Sequence, residues 1–305
     1  MRRVLVAEAL DQEGIDLLRE YFEVDTRDST SVEELTEIIP NYDGLVIWTY
    51  THVPRQVIDR AEKLKVIARA GIGLDKVDVE RAESRGIVVR NTPEGNTLSV
   101  AEMVLAMMLT LARRLIPADR YVRSRSGWDR EQFMGNELSE KTLGIIGLGN
   151  VGKKVAKRAL AFEMRLRGFD PFLDADQMTG HGVEKVDTLD ALLPQADFVT
   201  IHLPLTDATR GLIGKRELNM MKRNAFIINT SRGPIIDQGA LLDSLKKGRI
   251  AGAGLDVFDT EPPEDIELLG LENVVVTPHV AGTTHEALRK MAVQAARIII
   301  DQLKG

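Results

Sequence analysis

Residues Gly144 to Asp170 read GIIGLGNVGKKVAKRALAFEMRLRGFD. An apolar run ends in Gly147-x-Gly149-x-x-Gly152. A helix-like run follows, then a second short run that stops at Asp170, eighteen positions after Gly152. Strand, glycine turn, helix, strand and acid in this order predict a dinucleotide-binding βαβ unit. The first glycine permits a tight turn, the second lets a pyrophosphate approach the main chain, and the third lets the helix pack closely on the strand. The helix N-terminus then offers unpaired N–H groups and a partial positive charge to phosphates. Asp170 is placed to accept hydrogen bonds from a ribose diol. A carboxylate there repels a 2′-phosphate, and Pro171 and Phe172 bring no countercharge, so NAD is expected over NADP. Arg165 and Arg167 share one face of the second run by period two, which is unusual for a strand covered on both sides. Either they snorkel to a sheet edge or they weaken the NAD preference.

Around this unit the chain is an ordinary α/β sequence. Its 305 residues suffice for two domains, 44% are hydrophobic, and the net charge of −6 argues against general nucleic-acid binding. The absence of cysteine excludes disulfides, thiolate metal sites and cysteine nucleophiles. No metal-ligand spacing is present, so no metal is expected. The opening MRRVLVAEAL is too short an apolar run, broken by Glu8, to be a signal peptide. A soluble, cytoplasmic protein is expected.

Short apolar runs at Val4–Ala7, Leu45–Trp48, Val66–Ala68 and Ile87–Val89 alternate with helix-like spacers. This pattern predicts a first parallel sheet. Ser99-x-x-Glu102 has the form of a capping box opening a long apolar helix to about Leu115. That helix is apolar almost all round, so burial between two bodies is expected. Further strands are predicted at Phe198–Leu203, Ala225–Asn229, Gly252–Val257 and Val274–Thr277, before one amphipathic helix at about 284–303. If that helix folds back, the first domain is discontinuous. The expected division is residues 1–98 plus 284–305, and 99–283.

Ligands of open α/β sheets bind beyond the carboxyl ends of the strands. Three residues stand just past such ends: Arg232, Glu261 and His279. Histidine can take a hydroxyl proton near neutral pH. A neighbouring carboxylate orients the ring, and arginine can hold a carboxylate through two parallel hydrogen bonds. Among the other histidines, His52 and His285 are candidates to line the site, His202 ends a strand, and His181 lies in a glycine-rich loop.

The whole chain resembles the D-isomer-specific 2-hydroxy-acid dehydrogenases. The likeness is carried in order by Arg69-Ala-Gly-Ile-Gly-Leu-Asp75, Asn91-Thr-Pro93, the GxGxxG segment, His202-Leu-Pro204, Asn229-Thr-Ser-Arg232, Asp256-Val-Phe258 and Pro278-His279. The resemblance implies two doubly wound parallel-sheet domains, a Rossmann NAD-binding domain and a discontinuous, flavodoxin-like substrate-binding domain. It implies that His279 is the acid/base, Glu261 its partner, and Arg232 the group that binds the substrate carboxylate and 2-oxygen. It implies cofactor contacts from Ile72, Asn150, Val151, Asp170, Leu203, Thr230 and Asp256, with His202, Pro204, Ser231, Ala281 and Gly282 beside them. The backbone at Gly71, Ile72 and Gly73, together with Thr49, would meet the substrate.

Trp128-Asp-Arg-Glu-Gln-Phe-Met-Gly-Asn-Glu-Leu138 is similar to a segment typical of the members that oxidise 3-phospho-D-glycerate to 3-phosphooxypyruvate in serine synthesis. The family resemblance also implies a homodimer through the long helix and the loop after it, with Arg130 reaching the partner's substrate phosphate. There is one departure: those members usually carry an arginine where this chain has Trp48. That change favours glyoxylate, hydroxypyruvate or another small 2-oxo acid as the alternative substrate. A third reading is an NAD-sensing binding protein, like the C-terminal-binding-protein corepressors, which keep the same residues. With the sequence ending at Gly305, no built-in domain for serine feedback is expected.

Overall fold

The computed structural model describes residues 1–264 and 266–304. The chain forms two compact units, Met1–Thr97 with Gly282–Gly305, and Leu98–Ala281. The expected divisions after 98 and 283 fall one and two residues beyond these.

In the first unit β1 (Arg3–Val6), β2 (Glu23–Thr26), β3 (Gly44–Ile47), β4 (Val66–Arg69) and β5 (Val88–Asn91) form a wholly parallel sheet in the order β2-β1-β3-β4-β5. Side chains alternate across a strand, so each apolar run feeds two cores. Leu5 and Ala7 join Leu35, Ile58 and Ala82 on one face, whereas Val4 and Val6 join Leu18, Ala295 and Ile299 on the other. The second face is covered by the terminal helix His285–Lys304, which Thr284 caps by accepting from the Ala287 N–H at 3.2 Å. Its buried Ala287, Met291, Ala295, Ile299 and Leu303 recur every four residues, the spacing of one helical stripe. The helix Gln12–Arg19 crosses it so closely that a Cβ on Gly14 would lie 2.7 Å from the Ala292 backbone.

In the second unit β6 (Thr142–Ile146), β7 (Arg165–Phe169), β8 (Glu184–Lys185), β9 (Phe198–Ile201), β10 (Phe226–Asn229), β11 (Gly252–Leu255) and β12 (Val274–Val276) form a parallel sheet in the order β12-β11-β10-β9-β6-β7-β8. The chain therefore reverses direction across the sheet between β6 and β9, as in a Rossmann fold. Both faces are packed: Ile146 and Ile227 enter one core, Leu143, Ile145 and Ile228 the other.

The structure departs from the sequence reading at the edge strands and at the long helix. The edge strands β2 and β8 were not expected, because β2 is polar and half-exposed and β8 has only two residues. The long helix spans Thr97–Ala112, so Ser99 lies within its first turn and is not its N-cap. Its burial is one-sided: Val104, Met107, Met108 and Leu111 enter the core while Glu102, Ala106 and Leu109 face outward. The arginines of β7 have an edge explanation. Arg165 is exposed, and Arg167 pairs with Glu184 of β8 at 2.9 Å, near the end of the sheet.

Candidate active site

The glycine turn after β6 has the geometry its sequence requires. Gly147 has φ +90°, and a Cβ there would stand 2.7 Å from the His202 carbonyl oxygen. A Cβ on Gly152 would lie 2.3 Å from the Gly147 carbonyl, so the helix Asn150–Ala161 can seat on the strand only through glycine. Around Gly149, by contrast, a Cβ would meet nothing within 4 Å. The turn is thus tight where it folds and open where a pyrophosphate would approach. Asp170 follows β7 and is 8% exposed. One carboxylate oxygen accepts the Leu148 N–H and the other the Phe172 N–H, each at 2.9 Å. These bonds fix the acid against the glycine turn and leave lone pairs for diol hydroxyls. Thr230 presents a buried hydroxyl with no hydrogen-bond partner among the described residues. An open glycine turn, a positioned acid and an unsatisfied hydroxyl fit a dinucleotide.

His202 and Leu203, just past β9, are half-buried, and Pro204 is exposed. The His202 Nε2 lies 3.0 Å from the Thr200 hydroxyl. Desolvation pushes this imidazole down to about 3, so it is neutral at ordinary pH.

The three candidate catalytic residues come from adjacent strand ends. Arg232 follows β10, Glu261 follows β11 and His279 follows β12. Asn229, at the end of β10, builds the turn that carries Arg232. Its side-chain oxygen accepts from the Ser231 N–H (3.0 Å) and hydroxyl (2.8 Å), and its amide donates to the Arg232 carbonyl (2.9 Å). Gly233 then lets two main chains touch, since a Cβ there would lie 2.0 Å from the Phe258 carbonyl carbon. This approach places the Arg232 turn directly against the turn that leads to Glu261.

Asp256 performs the same service for His279. It is fully buried, and its carboxylate accepts from the Thr277 hydroxyl and from the N–H groups of Val280 and Ala281, both at 2.8 Å. Burial raises its pKa, and these three donors oppose the rise. His279 donates its N–H to the carbonyls of Asp256 (2.9 Å) and Thr277 (3.0 Å) and has φ 55°. From this fixed backbone its Nδ1 meets Glu261 Oε2 at 2.8 Å, and Glu261 Oε1 accepts the Phe258 N–H at 3.3 Å. Both side chains are about two-fifths exposed, so the pair is reachable from solvent.

The remaining sequence candidates divide between the units. Thr49, Gly71, Ile72, Gly73 and Gly282 belong to the first, while Arg130 and Ala281 belong to the second. Gly71, at φ +149°, donates its N–H to the Thr92 hydroxyl oxygen, 2.7 Å away. Arg130 is exposed at the start of a short turn, Glu131–Phe133. His52, His181 and His285 are exposed. Two residues that sequence reasoning missed as site builders are Asn229, quoted only as motif, and Glu8. The Glu8 carboxylate is 3% exposed and binds the turn that contains Thr49. No group of three or more metal-ligating side chains was found among the described residues.

Residues 105–281 match the family model described as D-isomer specific 2-hydroxyacid dehydrogenase, NAD binding domain. The chain is 45% identical over 304 residues to a D-3-phosphoglycerate dehydrogenase of Methanocaldococcus jannaschii, covering 100% of this chain and 57% of that protein. It is 43% identical over 306 residues to a hydroxypyruvate reductase of Thermotoga maritima, covering 99% of this chain and 98% of that protein. A solved structure from Thermus thermophilus superposes with a TM-score of 0.90 at 37% identity, covering 99% of this chain and 97% of the other. The chain thus spans little more than half the length of the phosphoglycerate dehydrogenases it matches.

Proposed function

Since this chain belongs to the D-isomer specific 2-hydroxyacid dehydrogenase family, we propose that it oxidises 3-phospho-D-glycerate to 3-phosphooxypyruvate with NAD, the entry to serine synthesis. The observation that carries the reading is the His279–Glu261 pair beside the Arg232 turn, on the same sheet as the glycine turn and Asp170. Gly147, Gly149, Asn150, Val151 and Gly152 would hold the pyrophosphate, Asp170 the ribose, and Thr230 the buried polar edge of the nucleotide. When bound, NAD supplies the hydride acceptor.

The chain's own residues supply the rest. With its Nδ1–H donated to Glu261, His279 has a lone pair on Nε2, and that atom takes the proton from the substrate 2-hydroxyl. Glu261 stabilises the imidazolium that results. Arg232 binds the substrate carboxylate and polarises the 2-oxygen as it becomes a carbonyl. The same steps in reverse deliver a proton from His279 to the 2-oxygen. The family's dimer is part of this reading: a second copy of the chain covers the apolar surface around the helix Thr97–Ala112, and Arg130 crosses to meet the substrate phosphate.

A second reading has its own observation. Trp48 offers no charge to a phosphate and instead lines an apolar cavity of about 250 Å³ with Leu10, Ala70, Leu288 and Met291. This favours an unphosphorylated 2-oxo acid such as hydroxypyruvate. Near-complete coverage of the Thermotoga reductase supports it as well. Alcohol oxidation by NAD is commonly uphill, so the reductive direction is the one to follow. NADH consumption is measured with 3-phosphooxypyruvate and hydroxypyruvate side by side. Preference for the phosphorylated acid supports the first reading, and preference for hydroxypyruvate replaces it with the second. Turnover of neither acid, with a peptide partner recovered, removes both in favour of an NAD-sensing binding protein.

A further inference from the structure

The order of the five-stranded sheet makes β1 and β3 neighbours from which the chain departs in opposite directions. In parallel sheets, ligand-binding crevices open at such switch points, beyond the carboxyl ends of the strands. Glu8 stands just past β1 on one side of this point, and the turn Trp48–Thr51 leaves β3 on the other. The Glu8 carboxylate is buried. Its Oε1 accepts the N–H groups of Trp48 at 3.1 Å and Thr51 at 2.6 Å. Its Oε2 accepts those of Thr49 at 2.9 Å and Tyr50 at 2.8 Å.

Four successive main-chain N–H groups converging on one point form an anion-binding concavity. Here the anion belongs to the protein itself. Burial alone would raise the Glu8 pKa, yet the donors from Tyr50, Thr51 and Trp48 bring it below the ordinary carboxylate value. The partners lie forty or more positions along the chain, so the contact is a tertiary staple. It fixes the backbone at Trp48, whose side chain lines the apolar cavity, and at Thr49.

We propose that Glu8 is a positioning residue: an internal carboxylate fills the concavity of the Trp48–Thr51 turn and holds it in the shape that receives the substrate. The proposal rests on the dehydrogenase reading above, with Thr49 of this turn taken to meet the 2-oxo acid as the family resemblance implies. Its consequence for specificity is direct. The four N–H groups are already satisfied, so the turn recognises substrate through its side chains, and an anionic substituent must find its cation elsewhere.

The test compares the 305-residue wild-type chain with Glu8→Gln and Glu8→Asp. Gln keeps the shape but faces the N–H donors with an amide donor of its own. Asp keeps the charge on a shorter stem. Steady-state constants are measured with NADH and whichever acid the wild type prefers. NADH affinity is titrated separately, and amide exchange is followed across Trp48–Thr51. For Glu8→Gln, KM for the acid rises at least about tenfold while kcat changes by less than about threefold, as expected for a misplaced binding turn. NADH affinity holds, exchange protection is lost at Trp48–Thr51, and Glu8→Asp recovers part of the KM.

An unchanged KM with unchanged exchange overturns the proposal. So does a parallel loss of kcat, NADH affinity and KM in both variants, since that marks general destabilisation. A wild type that reduces no 2-oxo acid overturns the dehydrogenase reading and the positioning role with it. Exchange protection lost in Glu8→Gln would then report a purely architectural staple.

Discussion

His279 has φ 55°, a left-handed conformation that costs a substituted residue about 1–3 kcal/mol. Its surroundings over-determine it: two carbonyls take its N–H, and the Asp256 carboxylate gathers the next two N–H groups. Asparagine tolerates this backbone and cannot take a proton as imidazole does. His279→Asn is therefore expected to fold as well as the wild type and to lose about 10²- to 10⁴-fold in kcat. NADH affinity should be retained, and normal turnover would remove the acid/base role. Asp170→Ala should weaken NAD and narrow the gap to NADP, read as the ratio of kcat/KM for the two cofactors; an unchanged ratio would remove Asp170 as the discriminator.

His202 gives a pH prediction. Its folded pKa, about 3, lies below its ordinary 6.5, so between these values the unfolded chain binds a proton that the folded chain does not. Stability must fall as pH drops through that window, by about 2 kcal/mol at pH 5 from this residue. His202→Asn should flatten the dependence of the melting temperature between pH 7 and 5, and a slope as steep as that of the wild type would contradict the assignment. The placement of His279, the glycines and Asp170 at strand ends was legible because each stands beside its own motif. Glu8 was not: in sequence it only interrupts an apolar run, and its meaning lies in a turn forty residues away.

Elements reveal themselves in sequence when burial dictates their pattern. β3, β9 and β10 are wholly buried, and their Leu, Val, Ile and Phe runs announce them. The edge strands β2 and β8 escape because one side has no neighbour and polar residues suffice there. Ser99 misled because the capping pattern is only local: the helix is already formed two residues earlier, at Thr97, so Ser99 falls within its first turn. The terminal helix was legible from its period, but only the structure shows its apolar stripe sealing β1, β3 and β4 of the first unit. Its central Ile299 is fully buried among Val4, Val46 and Leu18. Ile299→Ala should cost about 2–5 kcal/mol through lost burial and the cavity left behind. Differential scanning calorimetry of the variant would show this as a lowered transition. A shift equal to that of an exposed substitution such as Arg297→Ala would mean that the helix does not hold the first unit together.

At the scale of the whole molecule, the second unit leaves several large apolar side chains exposed on neighbouring elements. Leu109, Leu115, Val122, Trp128 and Met134 are 36–80% exposed, on or beside the helices Thr97–Ala112 and Leu115–Ser124. Where such side chains join into one patch, the patch marks an interaction site. In the proposed dimer a second copy of the chain covers it. The double substitution Leu115→Glu and Val122→Glu places charge in that contact, where burying it unpaired is costly. Sedimentation equilibrium should give a dimer for the wild type and a monomer for the variant, with near-wild-type NADH affinity because the glycine turn and Asp170 lie within one chain. If Arg130 acts across the interface, the monomer should lose its preference for 3-phosphooxypyruvate while still reducing hydroxypyruvate. A monomeric wild type would remove the dimer. A monomeric variant that kept the phosphate preference would leave the dimer standing and return Arg130 to its own chain.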